Sequence, residues 1–306
     1  MKKLLFRVLI FSGSIAVIFS LYALLFIGGG NDNFYRRFTT PPSKSLIVGS
    51  SRCAQGIVPE EIDESGLRYD GEMFNYCFTN GHSPYGPYYL RSIRKKTGDV
   101  NDGLFLVEVN PWNISVRGNA DSDEPDTFRE SSRFISDMRI VNYLNPNLEY
   151  IIKHYEGPYY KDFYGILIGK KDKTKLKENG WLRVEVSIDS STVAGRKADK
   201  FSAYRKLSKE WAYSRLRMDY LEELLRFFEK RGEAYVVRMP VSEGMYGIER
   251  CYMPNFDERV EKIAQSTGAE YISFFEKSGV YTTTDGNHLW REDARRFSND
   301  LAKSIK

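Results

Sequence analysis

Beyond residue 44 the chain alternates short, unbroken apolar runs with longer stretches whose apolar positions recur every three or four residues. "SLIVG" (Ser45 to Gly49), "MFNYCF" (Met73 to Phe78), "LFLVEV" (Leu104 to Val109), "AYVVRM" (Ala234 to Met239) and "AEYISFF" (Ala269 to Phe275) have strand length. Their near-continuous apolar character suits strands buried on both faces. The longest helical pattern runs from about Ala203 to Arg231, with Tyr204, Leu207, Trp211, Tyr220, Leu224 and Phe228 mostly three or four apart and Gly232 as a stop. A last helix carries Trp290, Ala294, Phe297, Leu301 and Ile305 on one stripe. Strands alternating with helices in this way predict an α/β fold, a doubly wound and mainly parallel sheet in three layers of the flavodoxin-like kind. The region from Pro111 to Ser202 breaks the alternation and reads as an insertion or cap after the third strand.

The amino terminus follows a different pattern. After "MKKLLFR" comes an uncharged run from Val8 to Ile27, twenty residues, which as a helix spans about 30 Å, the thickness of the bilayer hydrocarbon core. A cleaved signal peptide carries a shorter apolar region of roughly 7 to 15 residues, although "GGG" at Gly28 to Gly30 offers small residues to a peptidase. The expectation is an uncleaved single-span anchor over residues 1–30, a tether over 31–44 and one α/β domain over 45–306. Lys2, Lys3 and Arg7 before the span against Arg36 and Arg37 after it favour a cytoplasmic amino terminus and an extracytoplasmic body.

Composition narrows the partners. With 45 basic and 41 acidic residues the net charge is +4, too balanced for a phosphate-binding surface, and no nucleic-acid motif accompanies it. Three cysteines, Cys53, Cys77 and Cys251, have no metal-ligand spacing and an odd count, so neither a zinc site nor a disulfide framework is expected. A bond between Cys53 and Cys77 would need neighbouring strands and is not counted on. "GILIGKK" (Gly165 to Lys171) has the wrong spacing for a phosphate loop. Aromatic loops such as "YGPYY" (Tyr85 to Tyr89) and "YEGPYYKDFYG" (Tyr155 to Gly165) are compatible with sugar stacking, though most such tyrosines simply pack.

In a doubly wound sheet ligands bind beyond the carboxyl ends of the strands, so polar residues just after each apolar run are the candidates. The first run ends in Gly49, Ser50, Ser51 and Arg52; the second enters "TNGHSPYG" with Gly81 and His82; the third enters "NPWN" with Asn110 and Asn113; the fourth reaches Arg238. One of only three histidines stands in "TTTDGNHLW", three residues after Asp285 and just before the last helix. A serine hydroxyl is a poor nucleophile until a base takes its proton, histidine titrates near neutrality, and a carboxylate on the same loop can hold the ring. Each residue also has a plainer reading. Ser51 alone suits a helix N-cap, Asp285 and His288 suit a cap on the last helix, and Arg52 and Arg238 suit buried ion pairs.

The ordered set of "VGSSR", "VEVNPWN", "VVRMPV" and "DGNHLW", behind an apolar amino-terminal helix, resembles the SGNH/GDSL hydrolase-like superfamily and within it the membrane-anchored DltD-like branch. The resemblance covers Ser45 to the carboxyl terminus apart from the insertion. It implies Ser51 as nucleophile, His288 as base and Asp285 as orienting acid, with Ser50 standing where the family motif has Asp. It also implies an oxyanion hole from the Ser51 amide, the Gly81 amide and an asparagine, for which Asn110 and Asn113 compete. His82, Arg52 and Arg238 are the weaker substrate-binding candidates. The implied activity is that of a serine esterase or O-acyltransferase acting through an acyl-enzyme on a cell-envelope glycan or polymer, without metal or other cofactor. The rival is a silent binding or assembly subunit that partners a membrane-bound acyltransferase. Either way the expected partners are the membrane and an envelope glycan, not nucleic acid.

Overall fold

The computed structural model describes residues 1–27, 32–118, 130, 134–154 and 174–305. "GILIGKK" and the Tyr155 to Gly165 loop lie outside the described residues. All five strand expectations are met by β1 (Ser45–Val48), β2 (Met73–Asn75), β3 (Gly103–Glu108), β8 (Gly232–Arg238) and β9 (Glu270–Ser273). They form one sheet in the order β2-β1-β3-β8-β9. Every pairing in it is parallel, with Leu46 opposite Phe74, Ile47 opposite Leu106, Val107 opposite Val236 and Val237 opposite Ile272. The chain turns outward in both directions from β1, so the crevice between β1 and β3 is the switch point where side chains from two loops meet a ligand.

Alternation along each strand explains the two faces. Leu46, Val48, Phe105, Val107 and Val236 point into one apolar layer with the helices Pro87–Lys96, Arg215–Glu229 and Phe256–Ser266. Ile47, Leu104, Leu106, Tyr235 and Val237 point into the other, against Ser51–Gly56, Pro59–Asp63 and Arg291–Ala302. The observed architecture is therefore the three-layer, doubly wound α/β sheet.

The long helical pattern does not persist. One helix, Ser190–Glu210, ends at Trp211, and a second begins after Ser214, whose side chain accepts from the Arg217 amide as an N-cap. Between them β7 (Trp211–Tyr213) pairs antiparallel with β4 (Ser115–Arg117). The apolar period continues through the break because Tyr204, Leu207 and Trp211 serve a small cluster around Trp112, whereas Leu224 and Phe228 serve the sheet. A hairpin of β5 (Thr174–Leu176) and β6 (Leu182–Val184) flanks the β2 edge, where the Asn75 amide donates to Asn179 O at 2.8 Å.

The amino-terminal helix Lys2–Ile27 is long and apolar enough over Lys2–Leu21 to cross a membrane, a test that a signal sequence also passes. The segment expected as a tether is not a loose connection. Tyr35 and Phe38 are buried in the core, and the buried Arg37 guanidinium donates to Asn33 O, Asn75 O and Gly180 O. Its aromatic side chains offer apolar area that the body can cover, which overrides the loop-like composition around them.

Candidate active site

Strand β1 delivers its chain to the crevice through Gly49, whose φ of 143° favours glycine and where a Cβ would meet the Glu108 side chain at 2.6 Å. The next two serines divide the labour. Ser50 is the N-cap of the Ser51–Gly56 helix, its hydroxyl accepting from the Arg52 amide at 3.3 Å and from Asn110 Nδ2 at 3.1 Å. Capping by Ser50 leaves the Ser51 hydroxyl for another partner. Ser51 Oγ, half-buried, lies 2.9 Å from His288 Nε2, across 237 residues of sequence.

The histidine loop is held as tightly. Asp285 Oδ1 accepts the backbone N–H groups of Asn287 and His288, both at 2.9 Å, and Oδ2 lies 2.8 Å from His288 Nδ1. An ionised carboxylate only accepts, so Nδ1 carries the proton and Nε2 presents its lone pair to the Ser51 hydroxyl. Burial alone would raise the Asp285 carboxyl, but the charge and hydrogen bond of His288, with Lys200 and the Asn287 amide, hold it well below the usual carboxylate range. Lys200, on the Ser190–Glu210 helix, stands 3.2 Å from Oδ2, and Arg196 on the same helix donates to Thr284 O at 2.8 Å. Gly286, with φ 84°, lets this helix close in, since a Cβ there would meet Phe201 at 2.6 Å. Neither Asp285 nor His288 caps the last helix, whose N-cap is Trp290 without a side-chain bond.

The structure thus brings Ser51, His288 and Asp285 into one hydrogen-bonded chain. The asparagines are placed differently. Asn110 Nδ2 spends its hydrogens on Ser50 Oγ and on Glu108 Oε1, and its Oδ1 accepts from the Trp112 and Asn113 amides. Asn113, fully buried, donates through Nδ2 to Glu108 O and accepts the Asn110 amide. Both side chains close the turn after β3 on itself. The Gly81 N–H donates to Thr79 Oγ1 at 3.2 Å, and His82 Nδ1 meets the same oxygen at 2.8 Å while its ring packs edge-on to Phe34.

Arg52 and Arg238, the basic candidates for a substrate anion, are interior. Arg52 pairs with Glu249, and Arg238 with both Glu249 and Asp257. Trp112 Nε1 also donates to Glu249 at 2.9 Å. Burial would raise the Glu249 carboxyl, yet the two guanidinium groups outweigh it and lower it. These ion pairs support the loops from beneath, and removing either partner leaves a charge buried without compensation.

Four participants escaped the sequence reading. Glu108 is a lone carboxylate inside an apolar run, a legible anomaly. It accepts the Ser50 amide at 2.8 Å, and burial pushes it up against the pull of Arg52 and its hydrogen bonds. Glu249, Lys200 and Asn287 carry no such mark, because helices and polar loops ordinarily contain such residues. The bond between Cys53 and Cys77 also corrects an expectation. The Ser51–Gly56 helix packs beside the end of β2, bringing the two Cα atoms to 6.1 Å and joining this helix to the sheet.

A 330 Å³ opening bordered by Arg196, Asp199, Lys200, Ala203 and Asp285 adjoins the chain of hydrogen bonds. Larger cavities of 1090 and 670 Å³ lie at the amino ends of the strands, around Lys44 with Glu72 and around Asp102 with Glu233, away from Ser51. Among the described residues no histidine lines either of them.

No protein-family profile and no curated protein matches the chain. Among solved structures, a carbohydrate acetylesterase family member from Sinorhizobium meliloti is similar with a TM-score of 0.38 and 11% identity, over 85% of this chain and 97% of that one. A second carbohydrate acetylesterase from Sinorhizobium meliloti gives 0.32 and 13%, over 85% and 97%. The inhibitor-bound aryl esterase of M. smegmatis gives 0.34 and 9%, over 85% and 98%. The chemistry rests on the side chains of this chain and not on that likeness.

Proposed function

We propose that the protein is a membrane-anchored serine esterase or O-acyltransferase that removes or transfers ester-linked acyl groups of a cell-envelope glycan or polymer. The observation that carries the reading is the unbroken chain from Ser51 Oγ through the His288 ring to Asp285, at 2.9 and 2.8 Å. In this mechanism His288 Nε2 takes the Ser51 proton as Oγ attacks the acyl carbon. The Ser51 amide receives the oxyanion, joined by the Gly81 amide once it leaves Thr79 Oγ1. The same imidazolium then protonates the departing alcohol, leaving an acyl-Ser51 that water or an acceptor hydroxyl resolves. Asp285 holds the tautomer and stabilises the imidazolium. None of these steps calls for a metal or other cofactor.

The anchor reading draws on the apolar Lys2–Leu21 helix, and the extracytoplasmic side on the basic residues before it and on the Cys53–Cys77 bond, which suits an oxidising compartment. The aromatic loops are compatible with a glycan substrate. Purified full-length protein in detergent is expected to hydrolyse p-nitrophenyl acetate, with turnover abolished by His288→Ala. A second reading, a silent assembly subunit beside a membrane-bound acyltransferase, is favoured by the closed turn after β3, which withholds both asparagine amides. Absence of turnover at any pH would select it.

A further inference from the structure

Asn287 lies between Asp285 and His288 in sequence, and its side-chain orientation is dictated by chemistry rather than by fit. Its Oδ1 receives Arg52 Nε at 3.1 Å and Arg52 Nη2 at 2.7 Å. A guanidinium has donors only, so the oxygen of the amide must face Arg52 and the nitrogen must face the other way. The other way is the reaction centre, where Asn287 Nδ2 lies 3.2 Å from His288 Nε2. Arg52 is itself immobilised, 2% exposed and paired with the fully buried Glu249, so the amide has no room to turn.

In the resting site the Nε2 lone pair is approached by two donors, the Ser51 hydroxyl at 2.9 Å and this amide at 3.2 Å. Once Nε2 has taken the Ser51 proton it has no lone pair left to accept from the amide, and the Asn287 N–H loses its partner. The atom that develops negative charge beside the protonated Nε2 is the alcohol oxygen of the ester, as its bond to the acyl carbon breaks. We propose that Asn287 Nδ2 donates to this oxygen, so that the proton of Nε2 and the amide hydrogen together stabilise a poor, alkoxide-like leaving group. By microscopic reversibility the same amide receives the incoming hydroxyl when acyl-Ser51 is resolved. The site is thereby suited to esters of sugar-type or other aliphatic alcohols rather than to activated aryl esters. Asn287 is then a catalytic residue, and Arg52 is a positioning residue that acts through it.

This inference rests on the esterase reading, and one assay separates the two. The full-length protein, Ser51→Ala, Asn287→Ala and Asn287→Asp are compared by kcat/KM, which reports the acylation step, on acetate esters of graded leaving-group basicity from p-nitrophenyl to phenyl, trifluoroethyl and ethyl. Asn287→Ala is expected to lower the ethyl ester by about tenfold to a hundredfold more than p-nitrophenyl acetate, the worth of one hydrogen bond to a developing charge. Asn287→Asp keeps the shape and the Arg52 contact but loses the donor, so it should show the same steepened dependence on leaving group if the alanine variant does not fold. Arg52→Lys, which releases the amide from its bidentate partner, should give the pattern in weaker form. An equal loss across the series, or no loss, with Ser51-dependent turnover intact, overturns the assignment of Asn287 alone. Lack of Ser51-dependent turnover of every ester by the unaltered protein overturns the esterase reading and this inference with it.

Discussion

The turns after β1 and β3 stand side by side at the centre of the sheet, and each ends an apolar strand in serine or asparagine side chains. They use their polar atoms in opposite ways. The β1 turn caps its helix with Ser50 and leaves Ser51 Oγ to a partner 237 residues away. The β3 turn consumes Asn110 and Asn113 in bonds to Ser50, Glu108 and each other. Proximity to a site therefore does not make a residue part of its chemistry. The tally of donors and acceptors already used decides it.

Substitution in the two turns should separate activity from stability. Ser51→Ala and Asp285→Asn are expected to lower ester turnover by about 10⁴-fold, the scale on which such a chain loses function when one member fails, while Ser51→Ala leaves the melting temperature nearly unchanged. Asn110→Ala should do the reverse. It strands Glu108 Oε1 and the Trp112 and Asn113 amides, costing about 1–3 kcal/mol of stability, with turnover reduced less than tenfold. A hundredfold loss of turnover at unchanged stability would instead put the Asn110 amide in the oxyanion hole.

Acid titration sharpens the contrast. Asp285 is held below its unfolded value of about 3.9, so the stability it contributes is complete above that value and is lost as pH falls through its lower folded value. The stability gap between the unaltered protein and Asp285→Asn should close as pH falls below about 4, as followed by denaturant unfolding. A gap that does not change on acidification would show that the carboxylate is not ionised by its neighbours. The smallest effect is expected at Lys200, which shares Asp285 Oδ2 with the imidazole. Lys200→Met removes one of the groups that hold the Asp285 carboxyl down, so the pH at which the stability due to Asp285 is lost should move upward. An unmoved midpoint would confine Lys200 to packing.

Much of this architecture was legible from residue pattern alone. Five apolar runs bounded by polar turns specify five strands, because strands covered by helices are mostly apolar, with Asn75 and Glu108 among the buried polar exceptions, and the residues after those runs mark the site edge. What escaped depended on pairing in three dimensions. The break at Trp211 is silent in the helical period, since apolar residues keep a three-to-four spacing while serving two different cores. The closed state of Asn110 and Asn113 is invisible without knowing which acceptors surround them. Lys200, Glu249 and Asn287 are ordinary surface-type residues whose contacts come from distant segments: Lys200 meets Asp285, and Glu249 and Asn287 meet Arg52. The Tyr35–Phe38 segment read as a tether because its flanking Asn, Thr and Pro residues outweighed two aromatics that the core takes up.

The central claim is that Ser51 Oγ and His288 Nε2 share one proton and make the serine nucleophilic. Reaction of the full-length protein with a fluorophosphonate, followed by peptide mass mapping, tests it most directly. A single adduct on Ser51 is expected, absent in Ser51→Ala and strongly slowed in His288→Ala. An adduct on another residue, or undiminished labelling of Ser51→Ala, would contradict it.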